Sequence, residues 1–353
     1  MAQTGTHTLA DLQAITDRTV VQFGIENVLP VIQQELDAHN RVVDDMVADF
    51  ASRTTEREEP VGGTTSFDME IADEFNRPRT QKPGAPDKVG YPLDRFTVGI
   101  GWTAEFFQKA TPAALVERLL ETEAAHVRQL IKSIRKSLMA SVNFSFTPYI
   151  EDIRDVAVTV RALYNADGFV PPVGPNLEQF VGSHNHYLGS ATLTNAAVGS
   201  LITHIAEHSR RSSIRIYINK ADEAAWRALT DFRPYLDMRE RPSLTRDVAN
   251  VPLEVLVTDD RAIGIIQGAE VWTKPWMVSN YALGVNITAP DKALRMREPT
   301  DVNRRGLRPI AEVATFPYQA RVFEALFGFG VYNRGAAAVL QFNNATYTAP
   351  VGL

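Results

Sequence analysis

Histidine is the residue type in this chain with the most obvious capacity for chemistry. His184 and His186 lie together in SHNHY, and His204 and His208 are one helical turn apart. Imidazoles at these spacings can ligate zinc or nickel through their ring nitrogens. Position 205 is isoleucine, so the HExxH signature of a zinc peptidase is absent. No acidic cluster stands out nearby to complete a ligand set. The four histidines therefore read as surface or hydrogen-bonded side chains, and no metal or cofactor is expected. The chain has no cysteine, which excludes thiolate zinc sites, cysteine nucleophiles and a disulfide framework.

Other chemical patterns fail on spacing. GFGVYNRG, residues 328–335, has neither GxGxxG spacing nor the lysine of a phosphate loop, and reads as a glycine-relaxed turn between packed strands. No GxSxG elbow occurs. The pairs Asp44-Asp45 and Asp259-Asp260 read as solvated helix face or loop rather than acid-base machinery. With no catalytic constellation, the chain is expected not to be an enzyme.

The elements that would carry these residues belong to a chain of 353 residues, 44% hydrophobic and 22% charged, large enough for two or three domains. A net charge of -6 weighs against a module that binds nucleic acid through its phosphates. The N-terminal MAQTGTHTLADLQ lacks the basic and apolar regions of a secretory signal. The best candidate for a membrane span, 323–342, is broken by Glu324, Asn333 and Arg334.

An N-terminal helix is predicted from Ile25, Val28, Leu29, Ile32, Leu36, Val43, Met46, Val47 and Phe50. Pro30 then belongs in its first turn, with Asn27 as N-cap. Its apolar stripe needs a cover, which another copy of the chain can supply. Two alternating runs follow, Phe67–Ile71 and Phe96–Trp102, around FNRPRTQKPGAPDKVG. They predict an extended hairpin with a polar, projecting tip. Thr111-Pro112 opens a long helix to about Met139. Strands are expected at 142–147 and 155–163, a helix at 192–208, and a strand in SIRIYINK followed by a short helix N-capped by Asp222. LEVLVT, AIGIIQ, AEVWTK, ALGVNIT, IAEVATF and AAAVLQF each read as a strand.

This order resembles the major capsid proteins of tailed bacteriophages, the Hong Kong ninety-seven fold shared with encapsulins. IRIYINKADEAAWRAL is similar to that family's strand, turn and helix, and GIIQGAEVWTKPWMVSNYALGVNI to its late hairpin. RPIAEVATFPYQARVFEALFGFGVYNRGAAAVLQF is similar to its closing strands. The resemblance implies an α+β fold in five parts. These are an N-terminal helical arm at 1–55, an extended loop hairpin at 56–103 and a peripheral domain with its spine helix at 104–180. A mixed α/β axial domain follows at 181–298, and peripheral return strands at 299–353.

The function implied is self-assembly into hexamers and pentamers of an icosahedral shell enclosing double-stranded DNA. Further implied partners are portal, scaffolding or decoration proteins and non-specifically packaged DNA, with no membrane. The implied location is a virion capsid assembled in the host cytoplasm. An encapsulin shell and an α/β enzyme with a helical oligomerisation arm are the alternatives. Arg77, Arg79, Phe96 and Trp102 are the expected interface residues, because apolar positions on a projecting hairpin should find few partners in their own subunit. The other tryptophans, Trp226, Trp272 and Trp276, read as core anchors. RMREPTDVNRRGLR, 295–308, is basic enough to touch DNA phosphates, but is expected rather to pair with carboxylates of a neighbouring subunit. Nothing in the sequence carries the family's lysine-asparagine crosslink onto Lys82 or Lys88.

Overall fold

The structure, a computed structural model, describes residues 7–61, 74, 87–103, 109–147, 157–209, 211–235, 260–315 and 318–353. The arm consists of three helices: α1 (Leu9–Ala14), α2 (Val20–Phe23) and α3 (Ile25–Val47). Thr8 with Asp11 and Thr19 with Gln22 form reciprocal caps that satisfy the first N–H groups of α1 and α2. Gly24, at φ 96°, separates α2 from α3 in a conformation that a side chain would strain. Because α3 starts at Ile25, Pro30 lies inside the helix instead of in its first turn, and removes one ladder bond there. Asn27 is not the cap; its amide donates to the Phe23 carbonyl at 2.9 Å.

The spine helix, α4 (Pro112–Met139), begins where Thr111 and Pro112 predict, with the Thr111 hydroxyl accepting from the Ala114 N–H. Its apolar stripe covers the arm. Val28 and Val31 pack with Leu115 and Val116, while Leu36, Val43, Val47 and Phe50 join the main core. Much of the arm's stripe is thus buried within its own subunit; Leu29 of the stripe, with Val21 and Val42, remains exposed. Helices α5 (Asn195–Ala206) and α6 (Glu223–Arg227) follow later in the chain. Asp222 sits at the N-cap of α6, but its carboxylate accepts instead from the Ser279 hydroxyl and the Asn280 N–H, both at 2.9 Å.

The strands, in chain order, are β1 (Ala51–Thr54), β2 (Glu58–Val61), β3 (Asp87–Gly90), β4 (Asp94–Thr103), β5 (Phe144–Phe146), β6 (Val158–Val160), β7 (Tyr187–Gly189) and β8 (Ile214–Ile218). They continue as β9 (Phe232–Pro234), β10 (Arg261–Ile266), β11 (Ala269–Thr273), β12 (Tyr281–Asn286), β13 (Leu294–Arg297), β14 (Arg308–Thr315), β15 (Tyr318–Val331) and β16 (Ala337–Gln341). One sheet runs β1-β13-β15-β14, with β4 also paired to β15. It packs against α4. The other runs β7-β16-β12-β8-β11-β10-β9. Its core packs Ile216, Ala282 and Leu340 with Val198, Leu201 and Ile205 of α5. Two small antiparallel pairs, β2-β3 and β5-β6, stand apart.

Several placements differ from expectation. The antiparallel stem of the hairpin is β2-β3, in register from Glu58 opposite Gly90 to Val61 opposite Asp87. Strand β4 pairs over its whole length with Tyr318–Phe327 of β15. Residues 67–71, its expected partners, and the 253–258 strand lie outside the described residues. A period-two pattern makes a strand and a face, but does not choose the neighbour. The chain ends differ too. β13 joins the spine-helix sheet, whereas β16 inserts between β7 and β12 in the other. AAVLQ is buried at every position, which suits an interior strand with both faces covered.

Finally, Gly328 and Gly330 are not a turn but part of β15. The strand crosses so close to residues 90–92 that a Cβ at Gly328 would lie 2.0 Å from the Pro92 carbonyl oxygen. The turn falls just after it, where the Ala336 N–H donates to the Asn333 carbonyl.

Candidate assembly surface and histidine cluster

Of the expected interface residues, Arg77 and Arg79 lie outside the described residues. Trp102 occupies β4 opposite Gln319. Phe96, opposite Ala325, is half-buried, its ring centroid 4.7 Å from that of Phe327. It therefore has partners in its own subunit, in a cleft shared with Thr122 and His126 of the spine helix. Glu324 of β15, only 2% exposed, accepts from Arg95 of β4 at 2.6 Å and from Arg308 of β14 at 2.5 Å. One buried carboxylate thus clamps three adjacent strands into a stiff ladder.

The basic segment 295–308 also finds its carboxylates at home. Arg295 lies 3.5 Å from Glu59 and 3.2 Å from Asp291, and Arg305 lies 3.9 Å from Glu298. Arg53 donates to Glu298 at 2.7 Å. Arg295 and Arg305 thus have carboxylate partners within the chain that the sequence did not indicate. Trp226 and Trp276 are buried core anchors as read, while Trp272 is partly buried beneath the Arg215 guanidinium.

Between arm and spine lies a titratable cluster. The rings of His39 and His126 meet at 3.0 Å, and His39 Nδ1 lies 3.9 Å from Glu123. Burial, with Glu35 nearby, pushes the Glu123 carboxyl up to about 7, while burial and His39 push His126 down to about 4.

Three of the four histidines read as bland, with Glu207, form a close polar cluster beside the seven-stranded sheet. His184 and His186 project from an extended segment leading into β7, two residues apart and hence on one side. Glu207 and His208 close the C-terminal end of α5. The Nε2 atoms of His184, His186 and His208 are mutually 3.0, 3.1 and 3.1 Å apart. Glu207 Oε1 is 3.2 Å from His184 Nε2 and 3.7 Å from His208 Nε2. His186 is fully buried, its Nδ1 2.6 Å from the Ala337 carbonyl oxygen. Burial holds all three imidazoles well below the ordinary histidine range, His184 and His208 at about 4. Glu207, missed in the sequence, was legible as the residue adjoining His208. His204 stacks 5.8 Å from His184 but turns its Nδ1 to the Ser200 carbonyl.

No protein-family profile and no curated protein matches the sequence. Solved structures do. A chain from Mycobacterium phage Patience is 20% identical, with a TM-score of 0.66 over 99% of this chain and 96% of that one. The capsid of a native GTA particle overlaps at TM-score 0.49 and 13% identity, over 84% of this chain and 89% of that one. The holo-SrpI encapsulin complex of Synechococcus elongatus PCC 7942 overlaps at 0.45 and 9%, over 87% and 90%. The full-length likeness to the Patience chain joins the arm, spine helix and two sheets described above. The chain has the Hong Kong ninety-seven capsid fold, the α+β fold its sequence led one to expect.

Proposed function

We propose that this chain is the major capsid protein of a tailed bacteriophage. Many copies form the hexamers and pentamers of an icosahedral shell enclosing double-stranded DNA. The observation that carries the reading is the overlap with the phage Patience chain over nearly the full length of both. The spine helix and the β4-β15-β14 ladder, clamped by Glu324, supply a stiff wall plate. The seven-stranded sheet supplies the domain that meets its copies at the capsomer centre. Residues 62–86, carried on the β2-β3 stem and including Arg77 and Arg79, lie over the neighbouring subunit, with Trp102 at the far end of β4 as a second contact. Stability of the shell comes from many modest interfaces summed over a closed lattice, without a covalent step. Portal and scaffolding or decoration proteins are its further partners, packaged DNA is held non-specifically, and assembly takes place in the host cytoplasm. No helix among the described residues is long and apolar enough to cross a membrane.

Light scattering of the purified protein across concentration and salt tests the reading. Capsomers or megadalton shells are expected. A monomer or dimer under every condition, even with the phage's other assembly proteins present, would count against it. Particles filled with a cargo protein in place of nucleic acid would favour an encapsulin-type shell.

A further inference from the structure

Three ring nitrogens and a carboxylate oxygen converge on one point in the axial half, and ordinary hydrogen bonding does not explain them. A neutral imidazole has one donor and one acceptor nitrogen. His186 Nδ1 faces the Ala337 carbonyl, which can only accept, so the proton resides on Nδ1. Its Nε2 is then a bare lone pair pointing at two other Nε2 atoms. Two protons, one each from His184 and His208, can satisfy the contacts to His186. The contact of 3.1 Å between His184 and His208 then has no proton of its own. Glu207 Oε1 adds an orphan of its own, a buried oxygen that accepts no hydrogen bond although His184 Nε2 is close.

We propose that His184, His186, His208 and Glu207 bind a structural zinc ion. A tetrahedral zinc with bonds of about 2.0–2.1 Å holds its nitrogen ligands roughly 3.3–3.4 Å apart. The observed Nε2 spacings of 3.0–3.1 Å need only a few tenths of an ångström of relaxation. All four ligand atoms lie within 4.8 Å of one another. The Ala337 carbonyl fixes the His186 tautomer that leaves Nε2 free for metal. The His186 backbone is itself pinned, its N–H donating to the Tyr164 carbonyl at 2.7 Å and its carbonyl accepting from the Val339 N–H at 2.9 Å.

The rings of Tyr164 and Phe180 wall the site, at 5.2 Å from His186 and 4.6 Å from His208. With four protein ligands, no coordination position remains open for substrate, so the site is structural and not catalytic. Zinc there ties the end of α5 to the strand entering β7 and, through Ala337, to β16. It supplies the crosslink that a cysteine-free chain cannot obtain from a disulfide.

The test is elemental analysis of the untagged, purified wild-type protein, as isolated and after zinc addition followed by gel filtration. Cobalt(II) titration read by visible absorption accompanies it. Expected are one bound zinc per subunit and the strong visible bands of four-coordinate cobalt. H184A, H208A and E207Q should each lose stoichiometric binding, while H204A keeps it. Chelation should lower the thermal transition of wild type to that of zinc-free H208A, and zinc should restore only wild type. Should H208A fail to fold, the chelated and reloaded wild type still decides the point. Wild type that never reaches one metal per subunit would overturn the proposal. So would H184A and H208A binding as much as wild type, or a thermal transition indifferent to chelation.

Discussion

Arg334→Ala should be among the most destabilising substitutions in the molecule, and its cost follows from what the guanidinium touches. Arg334 is 3% exposed and stands in the turn where the chain leaves β15 for β16. Its Nε donates to the Ala162 carbonyl at 2.8 Å. One Nη reaches the Leu163 carbonyl at 3.0 Å, Asn165 Oδ1 at 2.8 Å and Asp167 at 3.0 Å. The guanidinium also lies 5.1 Å from the Tyr164 ring centroid.

Truncation takes a donor from two carbonyls of buried residues, at about 1–3 kcal/mol each, and removes the charged partner of Asp167. Asp167 is not abandoned, since Asn143 donates to it at 2.7 Å and Arg161 lies 3.5 Å away. The carbonyl terms therefore dominate, and a loss of roughly 3–6 kcal/mol is expected, against the ~5–15 kcal/mol that usually holds a domain together. Burial tends to raise the Asp167 carboxyl, but hydrogen bonds from Asn143 and Arg334 hold it below its ordinary value. Its contribution is present above the unfolded carboxyl range and is lost as pH falls through the lower folded value. The gap between wild type and R334A should therefore narrow in acid. Urea unfolding of unassembled subunits at neutral and acid pH measures both. R334A within about 1 kcal/mol of wild type at neutral pH would refute the assignment of Arg334 as the hub of this junction.

Three further outcomes are expected. E123Q should gain stability over wild type as pH rises. The raised carboxyl makes a contribution present below about 4.5 and lost through about 7, worth at most about 3 kcal/mol, and glutamine stays neutral throughout. Thermal unfolding at acid and alkaline pH checks the sign, and an advantage that shrinks with rising pH would contradict it. G328A should cost about 3 kcal/mol, because its methyl meets the Pro92 backbone, whereas G99A, with nothing near its Cβ, should be close to neutral in the same denaturation assay. Trypsin should cut unassembled protein at Arg79 much faster than assembled protein, since Arg77 and Lys82 precede prolines and Lys88 lies in β3 paired to Glu58. Equal rates in the two forms would show that this segment is not the intersubunit loop.

The elements were legible wherever local physics decides them. Thr111-Pro112 marks the start of the spine helix because cap and first-turn proline act within a few residues. The runs that became β8, β10, β11 and β12 carry their own apolar patterns. Pairing was not legible. Phe96 and Val98 make a strand face, yet nothing local says that β15, far along the chain, supplies the partner. AAAVLQF reads as a buried strand, but not into which sheet it goes. The histidine cluster illustrates the same limit. HNH and the one-turn pair were visible, as was Glu207 beside His208, but only the fold brings the end of α5 against the strand entering β7. Pro30 shows local preference overruled, since burial of the α3 stripe against α4 outweighs one lost ladder bond.

The central claim is assembly through this fold, and electron cryomicroscopy of particles from the expressed protein tests it most directly. The account predicts closed shells whose wall repeats this subunit in hexamers and pentamers. The seven-stranded sheets should converge at each capsomer centre, and residues 62–86 should lie on the adjacent subunit. Discrete small oligomers without a lattice, or shells in which residues 62–86 touch only their own subunit, would contradict it.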